Sequence, residues 1–124
     1  MHERLLIADD EPNILLSLEY LMKREGFQVS VAHDGEEALS NIRSQRPRLV
    51  LLDVMMPKKT GLEVCQAIRA DAELQDTLIL MLTAKGRDTD VAKGLALGAN
   101  AYVVKPFSTK ELVQKVKTLL ETGV

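Results

Sequence analysis

The chain has 124 residues, a formal net charge of -2, 46% apolar and 27% charged residues. That balance fits one globular domain able to bury a core and gives no electrostatic ground for direct nucleic-acid binding. A single cysteine excludes an internal disulfide, 3% aromatics leave little for base stacking, and no apolar run approaches the ~20 residues of a membrane span.

The N-terminal Met1-His2-Glu3-Arg4 lacks the layout of a signal peptide, so a cytoplasmic location is expected. Leu5-Leu6-Ile7-Ala8 reads as a first strand, followed at once by Asp9-Asp10-Glu11. Pro12 suits the opening of a helix, where its missing N–H costs nothing. Ile14, Leu15, Leu18, Leu21 and Met22 recur with helical period, Gly26 is a stop, and Asp10 is read as a possible cap. Residues 27–32 alternate apolar and polar, the pattern of an edge strand. Asp34-Gly35 reads as a turn before a second helix over 36–45, with Ala38, Leu39 and Ile42 inward and Pro47 beyond its end.

Leu49-Val50-Leu51-Leu52 runs straight into Asp53 and stops near Pro57. A run this short reads as a strand buried on both faces, which belongs to a parallel sheet covered by helices. Lys58 and Lys59 read as solvated loop. Leu62, Val64, Cys65 and Ile68 mark a third helix, with Cys65 as packing, and 71–77 is polar connection. Leu78 to Leu82 is another apolar run, ending at Thr83-Ala84. A fourth helix fits 89–97, with Val91, Ala92 and Leu95 available for packing. Ala101 to Val104 is the fifth strand, ending at Lys105-Pro106. Ser108 and Glu111 have capping-box spacing, and Leu112, Val113, Val116, Leu119 and Leu120 define the last helix. The methionines read as core filling, and His2 and His33 as surface residues.

Strict alternation of strand and helix predicts an α/β, doubly wound (βα)5 fold, one domain over 1–124 with nothing left for a second. All carboxyl ends then lie along one edge, where such sheets bind ligands. Asp9, Asp10, Asp53, Thr83 and Lys105 would meet there. Two carboxylates about 4 Å apart repel by ~4 kcal/mol at an effective dielectric near 20, so the group calls for a cation. An all-oxygen donor set favours Mg²⁺ over zinc. A carboxylate beside a metal, a lysine and a hydroxyl suits phosphoryl transfer through an aspartyl phosphate. Asp53 is the candidate nucleophile, Asp9 and Asp10 the metal holders, Lys105 and Thr83 the partners of phosphoryl oxygens.

With Asp9-Asp10, Asp53, Pro57, Gly61, Thr83-Ala84, Tyr102 and Lys105-Pro106 each at its own place, the chain resembles the receiver domain of two-component response regulators, including the chemotaxis-regulator-like kind. The resemblance implies a flavodoxin-like sheet of strand order 2-1-3-4-5. It implies phosphorylation of Asp53 by a sensor histidine kinase, a phosphotransfer protein or a small phosphodonor. It implies Mg²⁺ on Asp10, Asp53 and the Met55 backbone carbonyl, with Asp9 acting through water. Lys105, Thr83 and the Ala84 backbone would stabilise the phosphoryl group, Thr83 and Tyr102 would form the switch, and Pro106 would follow a cis bond. An output domain or target protein would read the surface of the fourth helix, fifth strand and fifth helix, with the chain a monomer or a phosphorylation-dependent dimer. Met55 and Lys85 flank the expected phosphoryl position and neither orients water well, so slow self-dephosphorylation is expected. The alternatives are a Mg²⁺-dependent phosphatase, disfavoured by Met55 two residues after Asp53, and a flavodoxin-like flavin carrier, disfavoured by the acids after the first strand.

Overall fold

The computed structural model describes residues 3–123, so His2 lies outside the described residues. Five parallel strands, β1 Arg4–Ala8, β2 Gln28–Ala32, β3 Leu49–Asp53, β4 Leu78–Ala84 and β5 Ala101–Lys105, form one sheet in the order β2-β1-β3-β4-β5. Between and after them run α1 Pro12–Arg24, α2 Gly35–Gln45, α3 Gly61–Ala70, α4 Asp88–Ala96 and α5 Thr109–Thr122. The architecture is the doubly wound one that the alternation predicts, with the flavodoxin-like strand order that the resemblance implies.

Successive strand residues point to opposite faces, so each apolar run feeds two cores. On one side Leu5, Ile7, Leu49, Leu51, Leu80, Leu82 and Val103 meet Leu15, Leu18 and Met22 of α1 and Leu112, Val116 and Leu119 of α5. On the other, Leu6, Val50, Leu52, Ile79 and Met81 meet Ala38 and Ile42 of α2 and Val64, Cys65 and Ile68 of α3. Burying each of these large side chains contributes about 2 kcal/mol, so these layers fix where the strand ends fall. Covered on both faces, β3 needs no polar alternation. Strand β2 alternates because it is the edge and is only partly buried from Val29 to Val31.

Several local expectations are corrected. Asp34 makes no free-standing turn: its Oδ1 accepts the Glu37 N–H at 2.8 Å and caps α2. Gly35 is the first residue of that helix and must lack a side chain, because a Cβ there would lie 2.0 Å from the Lys59 carbonyl oxygen. Asp10 does not cap α1, whose N-cap residue is Glu11 with no side-chain bond. Helix α4 packs through Gly94, facing Met81 and Leu62, with Val91 half-buried. Ala92 and Leu95 are therefore turned out to solvent, an orientation that a search for apolar side chains misses because the packing residue has none. Ser108 accepts the Glu111 N–H at 3.0 Å, while the full reciprocal box is formed by Thr60 and Glu63 ahead of α3. The connection after α3 contains a 3-10 turn, Ala72–Leu74, with Leu74 buried. Met55 is 54% exposed and fills no core, unlike Met22, Met56 and Met81. Lys58 is exposed as expected, with its Nζ 3.6 Å from Asp34, whereas Lys59 is half-buried. His33 is exposed and pairs with Glu37 at 3.2 Å.

Candidate functional site

The sheet order reverses direction between β1 and β3, and Asp9 and Asp53 stand at the ends of those two strands. A crevice opens at such a reversal because the crossovers leave to opposite sides. Alternation puts Asp53 on the face of Leu49 and Leu51, and Lys105 on the face of Val103, both toward α1 and α5. Lys105 therefore reaches across β4. Its Nζ lies 2.9 Å from Asp9 Oδ2, 3.5 Å from Asp53 Oδ1 and 3.9 Å from Glu11 Oε1. One oxygen from each of Asp9, Asp10 and Asp53 falls within 4.8 Å of the others. Asp9 and Asp53 are buried, and Asp10 is exposed at the rim.

Burial first and the Asp9 charge second push the Asp53 carboxyl up to about 6, against the opposing pull of Lys105 and the Met55 N–H. Burial works against the Lys105 charge, but the Asp9 hydrogen bond and the charges of Asp53, Asp9 and Glu11 outweigh it and its pKa rises. One ammonium thus faces a cluster of carboxylates. The donor atoms are hard oxygens, and a cation relieves the repulsion that raises Asp53, so the residues fit a hard divalent ion. Both Asp9 oxygens already have partners, the Glu11 N–H at 3.0 Å and Lys105. Asp10, and Asp53 through its other oxygen, are better placed than Asp9 to meet an ion directly. Among the described residues the cysteine and histidine are elsewhere: Cys65 is buried in α3 against the Leu97 carbonyl, and His33 faces Glu37.

Thr83 reaches the same edge but not the same face. Leu82, not Thr83, stands opposite Asp53, and Thr83 stands opposite Val104. Thr83 is 1% exposed, and its hydroxyl has no hydrogen-bond partner among the described residues. A buried orphan hydroxyl costs about 1–3 kcal/mol, so its retention calls for a ligand or a second position. Tyr102, 41% exposed, is on Thr83's face of the sheet beside a cleft of about 430 Å³ lined by the 84–88 turn, Val91 and Val104. Ala84 ends β4 opposite Lys105, and the Lys105–Pro106 peptide is cis as expected. Gly61 touches the site through the main chain: a Cβ there would lie 2.2 Å from the Asp53 carbonyl oxygen.

Sequence reasoning missed two residues. Glu11 was grouped with the acids but not recognised as a third partner of Lys105. Arg87, which bonds Met55 Sδ at 3.5 Å and Asp90 at 2.6 Å, stands in a turn with no periodic pattern to flag it.

The sequence model of the response regulator receiver domain matches residues 5–117. The chain is 45% identical over 120 residues to the DNA-binding response regulator MtrA of Mycolicibacterium smegmatis. It is 44% identical over 120 residues to the alkaline phosphatase synthesis transcriptional regulatory protein PhoP of Bacillus subtilis. These alignments cover 97% of this chain but 51% and 49% of those proteins, so the chain spans about half the length of the curated relatives it matches. The solved structure of the chemotaxis response regulator CheY4 of Vibrio cholerae aligns with TM-score 0.90 at 31% identity, over 96% of this chain and 99% of that one.

Proposed function

The chain belongs to the response regulator receiver domain family, and on that footing we propose that Asp53 is its phosphoacceptor. As a receiver domain of a two-component response regulator it is a signalling domain, and its own chemistry is what the proposal adds. An Asp53 oxygen attacks phosphorus, a P–O bond forms, and the bond to the donor nitrogen or oxygen breaks with its electron pair leaving on the donor. The donor is the phosphohistidine of a sensor histidine kinase or phosphotransfer protein, or a small acyl phosphate.

Asp10, Asp53 and the Met55 carbonyl would hold Mg²⁺, with Asp9 acting through water. Bound there, the ion supplies charge neutralisation at the phosphoryl oxygens. Lys105 pairs with one phosphoryl oxygen, and the Thr83 hydroxyl and the Ala84 N–H donate to others. The unpartnered Thr83 hydroxyl gives the switch a physical basis, since a new acceptor on Asp53 draws it over and vacates space behind it. Tyr102 turns toward that space, and the α4, β5 and α5 surface changes for an output domain or target protein. The same proposal includes one receiver unit over 1–124, a cytoplasmic setting suited to the free buried Cys65, and a monomer or phosphorylation-dependent dimer. No helix among the described residues is long and apolar enough to cross a membrane.

The observation that carries the reading is the Asp53 carboxyl, 5% exposed, sharing the Lys105 ammonium with Asp9 at the sheet's switch point. Intact-mass analysis after incubation with acetyl phosphate and Mg²⁺ tests it. One added phosphoryl group is expected in the wild type and none in Asp53→Asn; equal uptake by both would refute the assignment.

A further inference from the structure

We infer that Arg87 is a phosphoryl-binding residue at the mouth of the site, an inference that rests on the phosphoacceptor reading of Asp53. A continuous line of contacts leads to it. The Met55 N–H donates to Asp53 Oδ1 at 3.4 Å, and the Met55 side chain runs outward, 54% exposed. Arg87 Nη2 bonds the Met55 thioether sulfur at 3.5 Å. A thioether is a weak acceptor, so this nitrogen is poorly satisfied for a cation. A phosphoryl group on Asp53, two residues before Met55, would offer it charged oxygens instead, in a fork geometry that suits a guanidinium.

The other side of Arg87 explains why it waits there. Its Nε bonds Asp90 Oδ2 at 2.6 Å, and the Asp90 side chain is only 12% exposed. Asp90 thereby turns the guanidinium edge carrying Nη2 toward Met55. The main chain permits adjustment. The Arg87 N–H closes a turn on the Ala84 carbonyl at 3.2 Å, and Gly86 within it has φ +85 with open space around its Cβ position. Arg87 is also the N-cap residue of α4, which has no side-chain cap. Engagement of the guanidinium by the phosphoryl group would therefore act directly on the first turn of α4, in addition to any movement of Thr83 and Tyr102. No covalent bond changes at Arg87; the step is an exchange of hydrogen-bond partners.

Calorimetric titration of the wild-type chain, Arg87→Ala and Arg87→Lys tests this, with beryllofluoride plus Mg²⁺ as the phosphoryl mimic and with Mg²⁺ alone. Arg87→Ala is expected to weaken beryllofluoride about three- to tenfold, the net worth of one typical hydrogen bond at a half-exposed arginine, and Arg87→Lys to recover part of that. Mg²⁺ affinity is expected to hold or rise, because a positive charge near the cation has gone. An arginine that merely supports the loop would lose affinity for both ions together. That result, or beryllofluoride affinity within twofold of wild type, overturns the assignment of Arg87 while leaving Asp53 untouched. Beryllofluoride binding that is absent in the wild type, or unaffected by Asp53→Asn, overturns the phosphoacceptor reading and Arg87's role with it.

Discussion

Lys105 is bonded to Asp9, at 2.9 Å, more closely than to Asp53, at 3.5 Å. The acid that holds the lysine is fully buried, and the lysine itself is 18% exposed. Removing one partner of such a pair leaves a charge uncompensated, which typically costs about 3 kcal/mol or more. Lys105→Met is expected to lower unfolding stability by about 2–4 kcal/mol in the absence of divalent ions. Mg²⁺ should restore part of the loss by supplying the missing positive charge. Denaturant titrations with and without Mg²⁺ measure this, and a loss that Mg²⁺ leaves unchanged would argue against a cation site among these acids.

The pH dependence follows from Asp53. Its carboxyl titrates near 6 in the folded chain against an ordinary 3.8. A raised folded pKa means the folded state binds the proton more tightly. The contribution to stability is complete below about pH 4 and is lost as pH rises through about 6. Asp53→Asn cannot ionise and escapes that loss. The stability of Asp53→Asn relative to wild type should therefore grow by about 1–2 kcal/mol between pH 4 and 7.5, allowing for solvent screening. A flat difference over that range, in metal-free buffer, would contradict the charge arrangement.

Gly61 is needed for closeness rather than for an unusual backbone angle. Its Cβ position lies 2.2 Å from the Asp53 carbonyl oxygen and 2.9 Å from Val54 Cα, both main-chain atoms that cannot swing aside. Gly61→Ala must push the end of β3. A cost of about 2–3 kcal/mol is expected, with slower phosphorylation because Asp53 and Met55 are displaced together. By contrast, Gly94→Ala places its Cβ 3.5 Å from Met81 Cγ, an ordinary contact, and should be tolerated. Paired denaturation curves distinguish the two, and equal stability losses would refute the argument.

On the proposed reading, Met55 and Lys85 flank the phosphoryl position, and neither carries an acid or amide to orient water. The phosphorylated chain should persist for minutes or longer with Mg²⁺ present. Decay followed by intact mass checks this. Met55→Asn should shorten the lifetime, and a wild-type lifetime of seconds would overturn the expectation.

The strands and the edge place of β2 were legible because burial leaves a direct trace, four apolar residues before Asp53 and alternation at β2, while the strand order followed from the family resemblance. The acidic cluster was legible because parallel strands align their ends. Three features were hidden for physical reasons. The facing of α4 rests on Gly94, which offers no side chain to count. The cap at Asp34 is local, its Oδ1 taking the Glu37 N–H three residues on, and the Asp-Gly pair hides it because it reads equally well as a turn. Thr83 was expected beside Asp53, but strand alternation decides its face, and one residue of register separates them.

The central claim is that one carboxylate, at position 53, carries the phosphoryl group. Borohydride reduction of the chain after acetyl phosphate and Mg²⁺ treatment converts an acyl phosphate to the corresponding alcohol, and peptide sequencing by mass spectrometry then locates it. The account predicts homoserine at position 53 and unmodified aspartate at 9 and 10. Homoserine at 9 or 10, or none anywhere in a chain that has gained phosphate, would contradict it.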